Sequence, residues 1–270
     1  MVSKENSVKY DTNHTFAVCA YKESPYLKDC VESLVNQTVK TNIIICTSTP
    51  SEYIYNIANK YNIPVYERHA SSDIQDDWNF AYNTAKTDFV TVAHQDDVYD
   101  SKYVEELVLE LNKYPDSLIG ITDYLPIKNG KIGSHDVNSS IKKKLRFILK
   151  SKKLANKKFI KKRVLSLGNC ICCPSVTYNK RILGETIFTS KFKFCLDWDT
   201  FFKIANMNGR FLYVDKPLTN YRVHDGATSK EFIVDKRREK EDLEMFEKFW
   251  PKAIARFIMI FYKSAYKTYS

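Results

Sequence analysis

The stretch Asp88-Phe89-Val90-Thr91-Val92-Ala93-His94-Gln95-Asp96-Asp97 decides the fold. A run of strand-forming, mostly apolar residues stops abruptly at four polar ones, the last two adjacent acids. An apolar run this short, bounded this sharply, reads as a buried strand. The same pattern recurs upstream. Thr15 to Ala20, Asn42 to Cys46 and Val65 to Glu67 read as strands, and helical segments separate them. Ser24-Pro25 predicts a cap with proline at the first helical position, followed by Leu27, Cys30, Val31, Leu34 and Val35 at helical spacing. Ser51 to Tyr61 places Ile54, Ile57, Ala58 and Tyr61 on one face, and Asp76 to Ala85 is a third helix. Helix resumes after the acids, with Val104, Leu107, Val108 and Leu111 in register.

Alternating strands and helices of this length predict an α/β fold with a mostly parallel sheet and helices on both faces. Ligands of such sheets bind beyond the carboxyl ends of the strands. Tyr21 to Ser24, Thr47 to Ser51 and His94 to Asp97 fall at those ends, so one rim of the sheet is the expected active site.

The second half is less regular. Asn129-Gly130 is a hairpin signal, Gly168 to Tyr178 a cysteine-rich loop and strand, and Asp199 to Met207 a helix. Phe211 to Val214 and Leu218 to Val223 read as a strand pair, and the chain from about Lys230 as terminal helices.

The 270 residues, 44% hydrophobic and 27% charged, can bury a sizeable core. No basic, apolar, small-residue leader appears at Met1 to Tyr21, and no apolar run reaches the roughly 20 residues of a bilayer span. The expected location is therefore the cytoplasm, which seven cysteines without a regular framework also suit. Cys170 and Cys173 form a lone Cys-x-x-Cys without a second pair at zinc spacing, so buried thiols are the better reading. The net charge of +10 is concentrated in Ile141 to Arg163, which holds twelve Lys or Arg and no acid. Leu145, Phe147, Ile148, Leu149, Leu154, Phe159 and Ile160 lie among these cations, a pattern suited to an anionic membrane surface or to a solvated basic face. Aromatic residues sit mostly at core spacing, so nucleic acid is not an expected partner.

Adjacent carboxylates at the end of a buried strand raise each other's pKa unless a cation intervenes. Mg²⁺ or Mn²⁺, which prefer carboxylate and phosphate oxygens, would resolve the conflict; Asp96 and Asp97 can also simply cap the next helix.

Several pieces, in order, resemble family 2 glycosyltransferases of the GT-A fold. Phe16 to Tyr26 with Cys30, Ser33-Leu34 and Gln37-Thr38 resembles their opening strand, loop and helix. Ala85 to Val90 followed by His94-Gln95-Asp96-Asp97 resembles the strand leading into their Asp-x-Asp motif. Asp197-Trp198-Asp199 resembles the acceptor-site acid motif, and Tyr221-Arg222-Val223-His224 the late segment whose His completes a metal shell. The matching pieces span about Thr15 to Ser229.

The resemblance implies a Rossmann-like GT-A domain over residues 1–229, with 141–163 as a basic amphipathic helical insert and 230–270 as a C-terminal helical extension. It implies an inverting, metal-dependent hexosyltransferase with Mn²⁺ or Mg²⁺ and a UDP- or dTDP-sugar donor. The acceptor would be a saccharide or lipid-linked saccharide in cell-surface polysaccharide synthesis, near the inner face of the membrane. Carried over, Asp197 would be the catalytic base, Asp96 and His224 metal ligands, and Ala20, Tyr21, Glu23, Ser48, Asp77, Gln95 and Asp96 donor-binding residues. Three positions depart from the family pattern. His94 replaces the first Asp of the motif, Cys46-Thr47-Ser48 replaces an Asp that often reads uracil, and Leu196 replaces the Glu before Asp197. Asp199 has the blander reading of a helix cap.

Two other classes are compatible with these residues. Paired carboxylates also serve glycoside hydrolases, and a decayed sugar-nucleotide site with a basic flank would describe a non-catalytic membrane- or nucleic-acid-binding module.

Overall fold

A computed structural model describes residues 12–224 and 237–263. Strand β1 (His14–Ala20) is the centre of the first half, pairing in parallel with β2 (Asn42–Thr47) and β4 (Phe89–His94). β3 (Val65–Glu67) extends the sheet beyond β2. The remaining strands are β5 (Val98–Tyr99), β6 (Ser117–Lys128), β7 (Lys131–Ile132), β8 (Val176–Asn179) and β9 (Arg210–Val223). The sheet order is β3-β2-β1-β4-β8-β6-β9-β5, with β7 hairpinned onto β6. Six strands run one way; β5, β7 and β8 oppose them. The β6–β7 turn fits its residues, since Asn129 and Gly130 both take positive φ (51° and 72°), which Asn and Gly tolerate best.

Side-chain alternation along the strands divides the core in two. Phe16, Val18 and Ile45 face helices α1 (Leu27–Val35) and α2 (Glu52–Lys60) and the segment Val104–Val108 that leads into α4 (Leu109–Asn112). Ala17, Ile44, Cys46, Val90 and Val92 face the opposite layer. That layer includes α3 (Ile74–Thr84), α6 (Lys158–Leu165) and α8 (Leu196–Ala205). α5 (Val137–Arg146) and α7 (Lys180–Leu183) complete the first 224 residues, and α9 (Arg237–Glu247) and α10 (Lys252–Tyr262) follow. The terminal helices share the second core: Met245, Phe246, Ala255 and Met259 are buried in it, and the Trp198 ring lies 5.2 Å from Phe246. The 229/230 boundary and Ser229 lie outside the described residues.

Two local expectations are corrected. Phe211–Val214 and Leu218–Val223 do not pair with each other; both belong to β9 and run beside β6. Register shifts around Asp123 leave Asp215, Lys216 and Leu218 without a counterpart on β6, and Pro217, opposite Asp123, has no N–H for a regular ladder. Helix α1 starts at Leu27 rather than at Pro25, with Tyr26 in the cap position and no side-chain cap. The Ser24 hydroxyl donates to the Asp96 carboxylate at 2.7 Å, a charge-assisted bond, while its oxygen accepts the Tyr26 N–H at 3.4 Å.

The basic stretch is built into the fold more than its composition implies. Arg146 is fully buried, ion-paired with fully buried Asp123, and Lys143 reaches the same carboxylate at 2.7 Å. Lys161 is also fully buried and donates to the Met207 carbonyl at 2.8 Å and to that of Gly209. Leu149 is core, and Leu145, Ile148 and Ile160 pack against it. Replacing Asp123 by Ala leaves the Arg146 guanidinium buried without its counter-ion. We expect a loss of about 3–5 kcal/mol in unfolding free energy, read by urea denaturation; a loss under about 1 kcal/mol would show that the pair is not what holds this layer.

Candidate active site

The carboxyl ends of β1, β2 and β4 open onto one cleft of about 680 Å³. Two reciprocal bonds fix its rim: the Tyr21 N–H donates to Gln95 Oε1 at 2.9 Å, and Gln95 Nε2 donates to the Tyr21 carbonyl at 3.1 Å. Ala20, Tyr21, Asp77, Gln95, Asp96, Asp197 and His224 all line the cleft. Glu23 is exposed and outside the lining; Ser48 is also outside it but touches a lining residue through Asp77.

At the end of β4 the two acids have different surroundings. Asp97 is buried, accepts the Arg222 N–H at 2.9 Å, and is pushed up by burial to about 8. Asp96 keeps its side chain 29% exposed; its Oδ1 accepts from Ser24, and its Oδ2 lies 3.3 Å from His224 Nε2. That imidazole nitrogen is buried and makes no hydrogen bond among the described residues, although it faces the carboxylate. A nitrogen and an oxygen facing each other without a shared hydrogen bond fit two ligands of one cation. Among the described residues, no group of three or more His, Cys, Asp or Glu gathers as a complete metal cage.

The end of the cleft beside β2 and β3 is organised by Asp77. Arg68 Nε donates to its Oδ1 at 2.8 Å, while Ser48 and Ser72 hydroxyls donate to its Oδ2 at 3.1 and 2.7 Å. Asp77 therefore acts first as the hub that joins the β2 and β3 ends to α3. His94 stacks on Trp78 with ring centroids 4.9 Å apart, and burial lowers its pKa to about 4, so it is a neutral ring at pH 7. This apolar stack occupies the place where the motif's first Asp would have offered a charge.

On the opposite wall, Asp197 sits in the first turn of α8. Asn169 Nδ2 donates to its Oδ2 at 2.7 Å and the Trp198 N–H to its Oδ1 at 2.7 Å. Burial outweighs both bonds and lifts its pKa to about 6. Asp199 is not a cap. It is 2% exposed, ion-paired with Lys248 and with Lys203 at 2.9 Å, so it ties α8 to the chain that follows α9.

Comparison with known proteins decides the class. The family model described as glycosyl transferase family 2 matches residues 15–208, most of the chain. The chain belongs to glycosyl transferase family 2. The glycosyltransferase has the GT-A fold of its structural neighbours. S. aureus TarS (residues 1-349) in complex with UDP-GlcNAc superposes with a TM-score of 0.59 at 15% identity, over 91% of this chain and 70% of TarS. The mannosyltransferase PcManGT from Pyrobaculum calidifontis, in complex with GDP-Man and Mn²⁺, gives 0.62 at 14% identity, over 92% of this chain and 69% of that one. No curated protein matches the sequence.

Sequence reasoning missed the residues that hold the others in place. Arg68 and Ser72 fix Asp77, Trp78 covers His94, and Asn169 orients Asp197. Asn169 precedes the Cys170 and Cys173 pair, whose thiols are buried and pushed up in pKa by burial. Cys170 donates to the Val164 carbonyl at 3.3 Å, the bond of a packed thiol. Since the Asn169 bond favours ionised Asp197, Asn169→Ala should raise the Asp197 pKa above about 6. The carboxyl ¹³C titration of Asp197 reads this directly; an unchanged midpoint would rule out Asn169 as the group that tunes it.

Proposed function

We propose that this glycosyltransferase transfers a hexose from a nucleotide-diphosphate sugar, UDP- or dTDP-linked, to an acceptor hydroxyl with inversion. The placement of Asp197 in the same cleft as the Asp96–His224 pair carries the reading. In this mechanism the acceptor oxygen attacks the anomeric carbon as that carbon's bond to the diphosphate oxygen breaks. The acceptor proton passes to Asp197, and the nucleoside diphosphate leaves. Asn169 and the Trp198 N–H hold the carboxylate oriented for this transfer.

Asp96 and His224 would hold Mn²⁺ or Mg²⁺, with donor phosphate oxygens completing the shell. Such an ion supplies positive charge to the departing diphosphate. The Mn²⁺ in the mannosyltransferase complex supports the assignment. Asp77 with Ser48, Ala20, Tyr21 and Gln95 would shape the nucleoside end, and Glu23 would contribute only from outside the cleft. We take residues 1–229 as the catalytic domain and 230–270 as its helical extension. The acceptor we propose is a saccharide or lipid-linked saccharide, made on the cytoplasmic side for the cell surface.

Asp197→Asn preserves shape but cannot accept a proton. Transfer should fall by roughly 10²- to 10⁴-fold with donor affinity near wild type; transfer within a few-fold of wild type sinks the base. Asp96→Ala should instead abolish Mn²⁺-dependent donor binding, measured by calorimetry with a fold check by circular dichroism. The base works ionised, so transfer should climb with pH through about 6 and drop about tenfold per unit below it. A flat profile between pH 5 and 7 in the chemical step would contradict the assignment.

A further inference from the structure

Helix α10, Lys252-Ala-Ile-Ala-Arg-Phe-Ile-Met-Ile-Phe-Tyr262, is apolar on two sides. Its inner side buries Ala255 and Met259 against the second core. Its outer side exposes Ile254, Phe257, Ile260 and Phe261, each between 44% and 68% accessible. Ile254, Phe257 and Phe261 follow helical spacing, and the two phenyl rings touch edge to face at 5.2 Å. Four large apolar side chains on one outward stripe are uncommon on a surface that faces only water.

The charges carried by the helix itself have one sign. It carries Lys252 and Arg256 and no acid, while Lys263 just beyond it pairs with Glu239 of α9. Trp250, one residue before Pro251, anchors the helix start by donating from its indole to the Ser166 carbonyl at 2.7 Å, with Arg163 over its ring. Arg163 ends the basic stretch, so a cation from a second element stands at the start of the helix.

From this surface we infer that α10 lies on an anionic lipid bilayer, with Ile254, Phe257 and Phe261 at the acyl boundary and Lys252 and Arg256 among the phosphate headgroups. An apolar face flanked by cations is the signature of an interfacial helix. At 11 residues, or about 16 Å, the helix is too short to span, and no described helix is long and apolar enough to do so. Charge selects lipid over a second copy of the chain, because pairing two α10 faces sets like charges against each other. Within the basic stretch Ile141 to Arg163, Arg146 and Lys161 are committed inside the fold, and Ile141, Phe147, Leu154 and Phe159 remain exposed.

The test is co-sedimentation of the full chain with phosphatidylglycerol/phosphatidylcholine vesicles, compared with phosphatidylcholine alone. The triple variant Ile254→Ser, Phe257→Ser, Phe261→Ser changes only exposed side chains, and circular dichroism checks its fold. We expect binding to the anionic vesicles, weakened by salt, and a loss of roughly tenfold or more in the variant. Absence of wild-type binding, equal binding by the folded variant, or a solution dimer that the variant makes monomeric would each overturn the inference. Because vesicle binding is read without donor or acceptor, failure of the proposed transfer chemistry leaves this outcome untouched.

Discussion

Arg222 is the residue through which two distant parts of the chain become one site. A strand that ends in two acids cannot bury both as anions, and a backbone N–H and a guanidinium are suited to meet them. Its N–H reaches Asp97, its Nε donates to the Asp96 carbonyl at 2.9 Å, and its Nη2 lies 3.1 Å from Asp29. The guanidinium also covers the Tyr26 ring at 4.4 Å. These contacts lock the end of β9 onto the ends of β4 and α1, and His224, two residues later, is thereby delivered to Asp96. The like-charge problem of the adjacent acids is solved by division of labour: Asp97 is buried and hydrogen-bonded, and Asp96 faces the cleft.

The parallel half of the fold was legible because its physics is local. Strand β4 and its polar stop, the capped helix after Ser51 and the Asn129-Gly130 turn each follow from a few neighbouring residues. Where a residue's partner is far away, local rules misassigned it. Ser24 reads as a helix cap alone until Asp96, 72 positions on, is placed to accept its hydroxyl proton. Asp199 reads as a cap until Lys248 is placed beside it. The same holds for cations: Arg146 and Lys161 look solvated in a basic run, and both are fully buried because Asp123 and two backbone carbonyls receive them.

The cleft residues named by resemblance were legible for a different reason, since spacing from the family motif carries them without any account of their surroundings. It brought Asp96, His224 and Asp197 to one cavity but gave no hint of Arg68, Trp78 or Asn169. Those three act through other side chains, and nothing in their immediate sequence marks them. Glu23 shows the converse: a loop position carried over by register that lies outside the cleft lining.

Replacement of the motif's first acid by His94 changes the electrostatics of the cleft at the end of β4. A carboxylate there would stand two residues from Asp96 and close to Asp97, adding a further acid to a buried rim. A histidine whose pKa is lowered to about 4 adds none at neutral pH, and its ring gains contact with Trp78 instead. With less negative charge to neutralise, Asp97 still requires its Arg222 N–H, and Asp96 becomes the one exposed anion of the motif. This end of the cleft is then held by the His94–Trp78 stack, the Asp77 hydrogen-bond hub and the Tyr21–Gln95 clamp rather than by paired acids.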